Sequence, residues 1–181
     1  LFVSRNAMNM EGLSEATIEK FIDSGFIHSF ADIFHLKEHA DEICKMDGFG
    51  EKSCSNLIAS IDKARKVKLP ALIYALGIPG IGVANAKVLA RAFHQDLDKL
   101  RAATAEELTV VDGIGDVMAQ AVCDYFNDSE KMEQLDSLLK ELELVLEENN
   151  EKQYLENLTF VITGSVHHFA NRTELKNYIE K

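Results

Sequence analysis

The sequence predicts an all-α fold built from a helical unit repeated along the chain. Three observations carry that expectation. A Gly-hydrophobic-Gly triplet occurs three times, as Gly48-Phe49-Gly50, Gly80-Ile81-Gly82 and Gly113-Ile114-Gly115, and Gly12-Leu13-Ser14 keeps the first glycine of a fourth copy. The first glycines stand at 12, 48, 80 and 113, so 36, 32 and 33 residues apart, the period of a repeated supersecondary unit. Finally, no stretch of the first 140 residues sustains the period-two alternation of a strand.

The triplet explains the repeat. Two glycines flanking a hydrophobic residue turn the chain sharply between helices, because glycine takes φ > 0 without steric cost. The middle residue points inward and anchors the turn. The last position opens a helix whose first N–H groups lack an intrahelical partner, and these, with the positive helix end, attract an anion. Four residues further on stands a small or apolar side chain, Ile18, Cys54, Ala86 or Ala119, which lets two helices pack closely. These are the marks of a helix-hairpin-helix motif, which reads nucleic-acid backbone without sequence preference. Tetratricopeptide and ankyrin solenoids have a similar period, but their Trp-Leu-Gly and Thr-Pro-Leu-His signatures are absent. The candidate DNA-binding residues are therefore Gly12, Ser14, Gly48, Gly50, Lys52, Gly80, Gly82, Lys87, Gly113 and Gly115. Ser14 departs from the pattern: it can cap the next helix, but it leaves less room for a phosphate.

Taken in order, the sequence predicts helices over Ser14–Asp23, Phe30–His35 and Glu38–Cys44, then a longer amphipathic one over Lys52–Lys66 with Leu57, Ile58 and Ile61 on one face. Pro70 suits the first turn of a helix running to Leu76. Val83–Ala92 follows the third turn, Thr104 and Glu107 form a capping box before the fourth, Val117–Phe126 follows it, and Ser129 caps a last helix to about Glu141. A polar run from Glu147 to Lys152 marks a linker, so a helical domain is expected over 1–146, a linker over 147–154 and a second, truncated module over 155–181. There, Leu158–Gly164 reads as a strand and Asn171 caps a helix facing it. One strand and one helix bury too little surface to stand alone.

The net charge of −11 argues at first against a nucleic-acid partner, but its distribution removes the objection. Residues 1–101 hold 13 basic and 13 acidic side chains, whereas residues 43–101 hold 10 and 5, including Lys63, Arg65, Lys66, Lys68, Arg91, Lys99 and Arg101. Residues 102–181 supply the whole excess, with 6 basic and 17 acidic. At physiological salt, charges beyond about 8 Å are largely screened. Three cysteines, Cys44, Cys54 and Cys123, form no CxxC pair, so reduced thiols in a cytoplasmic protein are expected and metal ligation is not. No apolar run approaches the roughly 18 residues of a membrane span, so no membrane partner is expected. The opening Leu1-Phe2-Val3-Ser4-Arg5 is no signal peptide and lacks an initiating Met, so a piece of a longer protein is expected.

The segments "SRNAMNMEGLSEATIEKF", "GFGEKSCSNLIASIDKAR", "LIYALGIPGIGVANAKVLARAF" and "DGIGDVMAQAVCDYF", in this order, resemble the helix-hairpin-helix domain of bacterial NAD-dependent DNA ligases. "LENLTFVITGSVHHFANRTELKNYIEK" resembles the start of the BRCT domain that ends those ligases. The resemblance implies a DNA-binding part of a nick-sealing enzyme of replication and repair, with duplex DNA and the ligase's other domains as partners. It implies NAD, magnesium and a four-cysteine zinc site elsewhere in the parent protein, no cofactor in this chain, and no ligase activity from it alone. A helix-hairpin-helix module of another repair or recombination protein, or a protein-interaction scaffold, are the alternatives.

Other motifs carry less. Lys45-Met46-Asp47-Gly48 matches the KxDG of nucleotidyltransferases, but the motifs that accompany it are absent and Gly48 belongs to the second turn. His167-His168 lacks a third ligand, and Thr163-Gly164 lacks the later lysine of a phosphopeptide pocket. The chain is expected to be a monomer, unless Leu158–Thr163 pairs with a second copy through its open edge.

Overall fold

Four of the helices begin at a side chain that caps them, Ser14, Asp96, Thr104 or Asp128. A computed structural model describes residues 1–146, which carry α1 (Glu15–Asp23), α2 (Phe30–Ile33), a 3-10 turn (Leu36–His39), α3 (Ala40–Ile43) and α4 (Glu51–Ala64). A short strand β1 (Lys66–Lys68) leads to α5 (Leu69–Ala75), α6 (Val83–Ala92), α7 (Leu97–Ala102), α8 (Ala105–Thr109), α9 (Asp116–Asn127), α10 (Ser129–Leu139) and β2 (Glu143–Val145). Ser14 caps α1 by accepting the Thr17 N–H at 3.2 Å. Thr104 and Glu107 exchange the expected reciprocal bonds at 3.3 and 2.9 Å. Pro70 sits in the first turn of α5, where its missing N–H costs nothing. The cap of α10 is Asp128, not Ser129: the carboxylate takes the Lys131 N–H at 3.1 Å and Ser129 becomes the first helical residue.

The all-α expectation holds, with three local differences. The stretch from Phe30 to Cys44 breaks into two one-turn helices with the 3-10 turn between them. α7 was not legible: Asp96 caps it and Leu97 and Leu100 bury its inner face, but six residues are too few to show a helical period. α4 stops at Ala64, and Lys66–Lys68 instead pairs in parallel with Glu143–Val145. Only Val67 of those three is buried, so the alternation is too short to read, and its partner lies at the far end of the domain.

The turns associate in pairs. The first rests on α4: Leu57 Cδ1 lies 3.5 Å from where a Gly12 side chain would start, and Glu11 N–H donates to Ser60 Oγ at 2.6 Å. Phe49 of the second turn packs on buried Phe21 of α1, ring centres 5.7 Å apart. The third turn rests on α9 in the same way, with Met118 Cγ 3.5 Å from the Gly80 position. Asn85 of α6 ties this contact, donating to Gly80 O and to Met118 Sδ at 3.4 and 3.3 Å. Ala86 and Ala119, four residues past their turns, are fully buried and permit close packing of α5 on α6 and of α8 on α9. Leu72, Ile73, Leu89, Leu108, Leu135 and Leu138 are at most 2% exposed, each burial worth about 1.5–3 kcal/mol. The first unit lacks a leading helix: residues 1–10 form hydrogen-bonded turns, with Ala7 and Asn9 N–H both donating to Ser4 O.

One side chain joins the two pairs. The Arg65 guanidinium, after α4, donates to Phe34 O at 2.7 Å, to Glu141 O at 3.3 Å and to Glu141 Oε2 at 2.7 Å. His35 Nε2 meets the other Glu141 oxygen at 2.7 Å. The cysteines are free thiols, and burial first, then Cys44 beside it, pushes Cys54 up to about 11. No described helix is long and apolar enough to cross a membrane. The expected linker, the strand Leu158–Thr163 and its pairing, the helix from Asn171, Thr163-Gly164 and His167-His168 lie outside the described residues.

The clasp has a pH signature. Hydrogen bonds to Glu38 and then Glu141 raise His35 above its ordinary 6.5, so its contribution is complete below that value and is lost as pH rises through the raised one. Arg65 first, then His35, lower Glu141 below its ordinary 4.5 against the opposing effect of burial, so its contribution is present above 4.5 and lost as pH falls through the lowered value. Melting temperature is expected to peak between the two ordinary values, and His35→Ala is expected to abolish the decline on the alkaline side. Parallel pH profiles for the two proteins would contradict this role for His35.

Candidate nucleic-acid interface

The four turns share one backbone geometry. Gly12, Gly48, Gly80 and Gly113 take φ of 86°, 88°, 79° and 84°, in the left-handed region that costs other residues about 1–2 kcal/mol. The next residue turns inward: Leu13, Ile81 and Ile114 are buried and Phe49 half-buried. The third position is extended and caps the helix that follows, as Ser14, Gly50, Gly82 and Gly115.

The two glycines of a triplet therefore differ in kind. Gly50, Gly82 and Gly115 have φ of −137°, −86° and −86°, which any residue adopts. Nothing within 4 Å would meet a side chain there. The expectation that both glycines are needed to turn the chain holds only for the first. The second leaves open space beside the first N–H groups of a helix.

Those groups are not equally available. Among the described residues no acceptor takes the N–H of Gly82, Val83 or Ala84, nor of Gly115, Asp116 or Val117. At the second turn the Gly50 N–H goes to Ser53 Oγ at 2.8 Å, and at the first the Thr17 N–H goes to Ser14. Charge divides them further. Glu15, Glu51 and Asp116 stand in the first turns of α1, α4 and α9, where a carboxylate already satisfies the helix dipole and repels an anion. α6 has no acid in its first turn. The third turn is thus the best anion site of the four.

The surrounding cations divide as well. Arg65, Lys66, Lys99 and Arg101 are engaged by Glu141, Glu143, Asp96 and Asp136. Lys52, Lys63, Lys68, Lys87 and Arg91 have no carboxylate partner among the described residues. Lys52 is exposed in the first turn of α4, and Lys87 lines a cavity beside Val83 at the head of α6. Arg5 and Lys68 line the same cavity; sequence reasoning missed that grouping because the three residues come from three separate segments. Lys45 is exposed at the end of α3, and the Asp47 carbonyl beside it accepts from Lys20 Nζ at 3.2 Å, so Lys45-Met46-Asp47-Gly48 forms a turn and not a nucleotide pocket. No three His, Cys, Asp or Glu side chains converge among the described residues.

Residues 4–63 match the family model of the SAM-like helix-hairpin-helix tandem, and residues 71–135 that of the helix-hairpin-helix motif. Each match takes in two of the four turns, and together they take in more than two-thirds of the chain. Both models describe helix-hairpin-helix units, and the chain resembles them in two consecutive stretches. Over its length it also resembles bacterial DNA ligases. It is 49% identical over 181 residues to a DNA ligase of Ruminiclostridium cellulolyticum and 51% over 183 residues to one of Lachnoclostridium phytofermentans. A DNA ligase of Fusobacterium nucleatum is 38% identical over 187 residues. Each alignment covers 99% of this chain but 28%, 28% and 26% of the relative, so the chain spans about a quarter of the length of the curated relatives it matches.

The division between the two glycines is measurable without a ligand. Gly113→Ala is expected to cost about 1–2 kcal/mol through its positive φ alone, since nothing lies near enough to clash. Gly115→Ser places a good cap where Ser14 already stands in the first turn, and should change stability by less than about 0.5 kcal/mol. Urea unfolding of the two variants decides it; equal losses would contradict the assignment.

Proposed function

We propose that the chain holds duplex DNA from its minor-groove side, without sequence preference, as part of a longer ligase that seals nicks with NAD in replication and repair. The observation that carries this is the open space at Gly82 beside three unpartnered N–H groups, in a helix head free of acids. A phosphate oxygen fits there as an acceptor. Gly80, Gly113, Gly48 and Gly12 would shape the turns, while Gly82, Gly115, Gly50 and Ser14 would face the backbone, with Lys52 and Lys87 supplying charge. The third turn would contribute most and the fourth less, because Asp112 and Asp116 border the latter. Val110 and Val117, 86% and 85% exposed, flank the fourth turn and suit the apolar sugar edges of the groove.

The relatives named DNA ligase support the enzyme reading. In the intact protein this region would help wrap a nick, and adenylation, with NAD, magnesium and zinc, would belong to parts outside the described residues. The chain alone would then bind without ligating, in the cytoplasm. Between residues 128 and 146, past the fourth turn and its helix, the 6 acidic side chains outnumber 2 basic ones, and this part would turn away from DNA toward another domain of the same ligase.

Binding of nicked duplex, followed by fluorescence anisotropy, tests the proposal. Log affinity should fall with log salt at about −0.9 per phosphate contacted, with little preference among sequences. Gly82→Val should weaken binding by about 1–3 kcal/mol while the fold stays intact. A flat salt response, or unchanged affinity of a folded Gly82→Val, would overturn it.

A further inference from the structure

A cavity of about 250 Å³ beside the third turn is lined by Arg5, Asn6, Lys68, Val83 and Lys87. Its three cations come from separate parts of the fold. Arg5 and Asn6 are held outward by the turns closed on Ser4 O, between which buried Ala7 and Met8 anchor the segment. Lys68 is the exposed end of β1, in register with Val145 of β2. Lys87 lies one helical turn beyond Val83, on the same face of α6. None of the three has a carboxylate partner among the described residues.

Three like charges around one cavity repel one another, and one anion between them converts that repulsion into attraction. The head of α6 adds its positive dipole end from the same side. The volume exceeds that of several waters, at about 30 Å³ each, so a tetrahedral anion fits with part of its hydration. We propose that Arg5, Lys68 and Lys87 jointly seat one phosphodiester group of the DNA strand, a phosphate next to the one met by the Gly82 turn. This rests on the duplex-binding reading above and adds a second contact point to it. The seat joins the two turn pairs, since Arg5 precedes the first pair, Lys68 lies between them and Lys87 belongs to the second. The bound strand would therefore bridge them.

Sharing distinguishes this from ordinary surface charge. Arg5→Gln, Lys68→Gln and Lys87→Gln are made singly and together in the 181-residue chain, and nicked-duplex affinity is measured across salt beside Gly82→Val, with thermal melting as the check on folding. Each single variant should bind several-fold more weakly. The triple variant should lose only about 0.9 from the log–log salt slope, the share of one phosphate. An unchanged slope, or a loss near about 2.7 as for three separate phosphates, would overturn the shared seat. If Gly82→Val loses affinity and the triple variant does not, this seat fails and the duplex reading stands. If neither loses affinity, the duplex reading itself fails. Calorimetric titration with inorganic phosphate at fixed ionic strength separates the sources: tight saturable binding would mark a free-anion site and overturn the strand assignment, while weak binding is expected.

Discussion

A positive φ at four glycines sets the geometry on which the rest of the molecule depends. At 12, 48, 80 and 113 the chain reverses in the left-handed region, the following apolar residue drops into the core, and the next residue opens a helix. The direction of that helix, and so the direction in which its free N–H groups point, follows from the turn. Packing then holds the turns in pairs, through Leu57 under Gly12 and Met118 under Gly80. A side chain at the first glycine would strain the turn; one at the second would fill space the protein itself leaves open. The first glycine thus acts on the fold, and the second matters only to something that approaches from outside.

The pairs are joined by groups that belong to neither turn. Arg65, fixed by Phe34 O and Glu141, and the short β1–β2 pairing fasten the end of the second pair to the first. This matters for binding because Lys68 is part of that same strand. Four of the basic side chains in the central stretch are engaged by carboxylates, which leaves the free charge nearer the third turn than composition alone implies. Two acids, Asp112 and Asp116, border the fourth turn instead. A repeat that looks uniform in sequence is therefore uneven in its electrostatics.

Local signals were legible, and non-local ones were not. The Gly-x-Gly triplets, the Ser14 cap, the Thr104–Glu107 box and Pro70 each act within one helical turn, and each stands where the sequence places it. The pairing of Val67 with Leu144 depends on residues far apart in the chain, and three-residue strands carry no period. Asp128 displaced Ser129 as a cap because a carboxylate and a hydroxyl compete for the same N–H groups one residue apart. At the candidate site the four turns were legible from the spacing of their first glycines. The difference between Gly80 and Gly82 was not, since it lies in backbone angles, and Arg5 joined Lys87 only through folding.

The central claim is that helix-head N–H groups meet DNA phosphate, chiefly at the third turn. Amide chemical shifts of the isotopically labelled chain, followed as nicked duplex is added, test it most directly. The largest changes are expected at Gly82, Val83 and Ala84, with smaller ones at Gly115 to Val117. Changes centred on the acidic faces of α9 and α10, with the Gly82 amides unmoved at saturation, would contradict it.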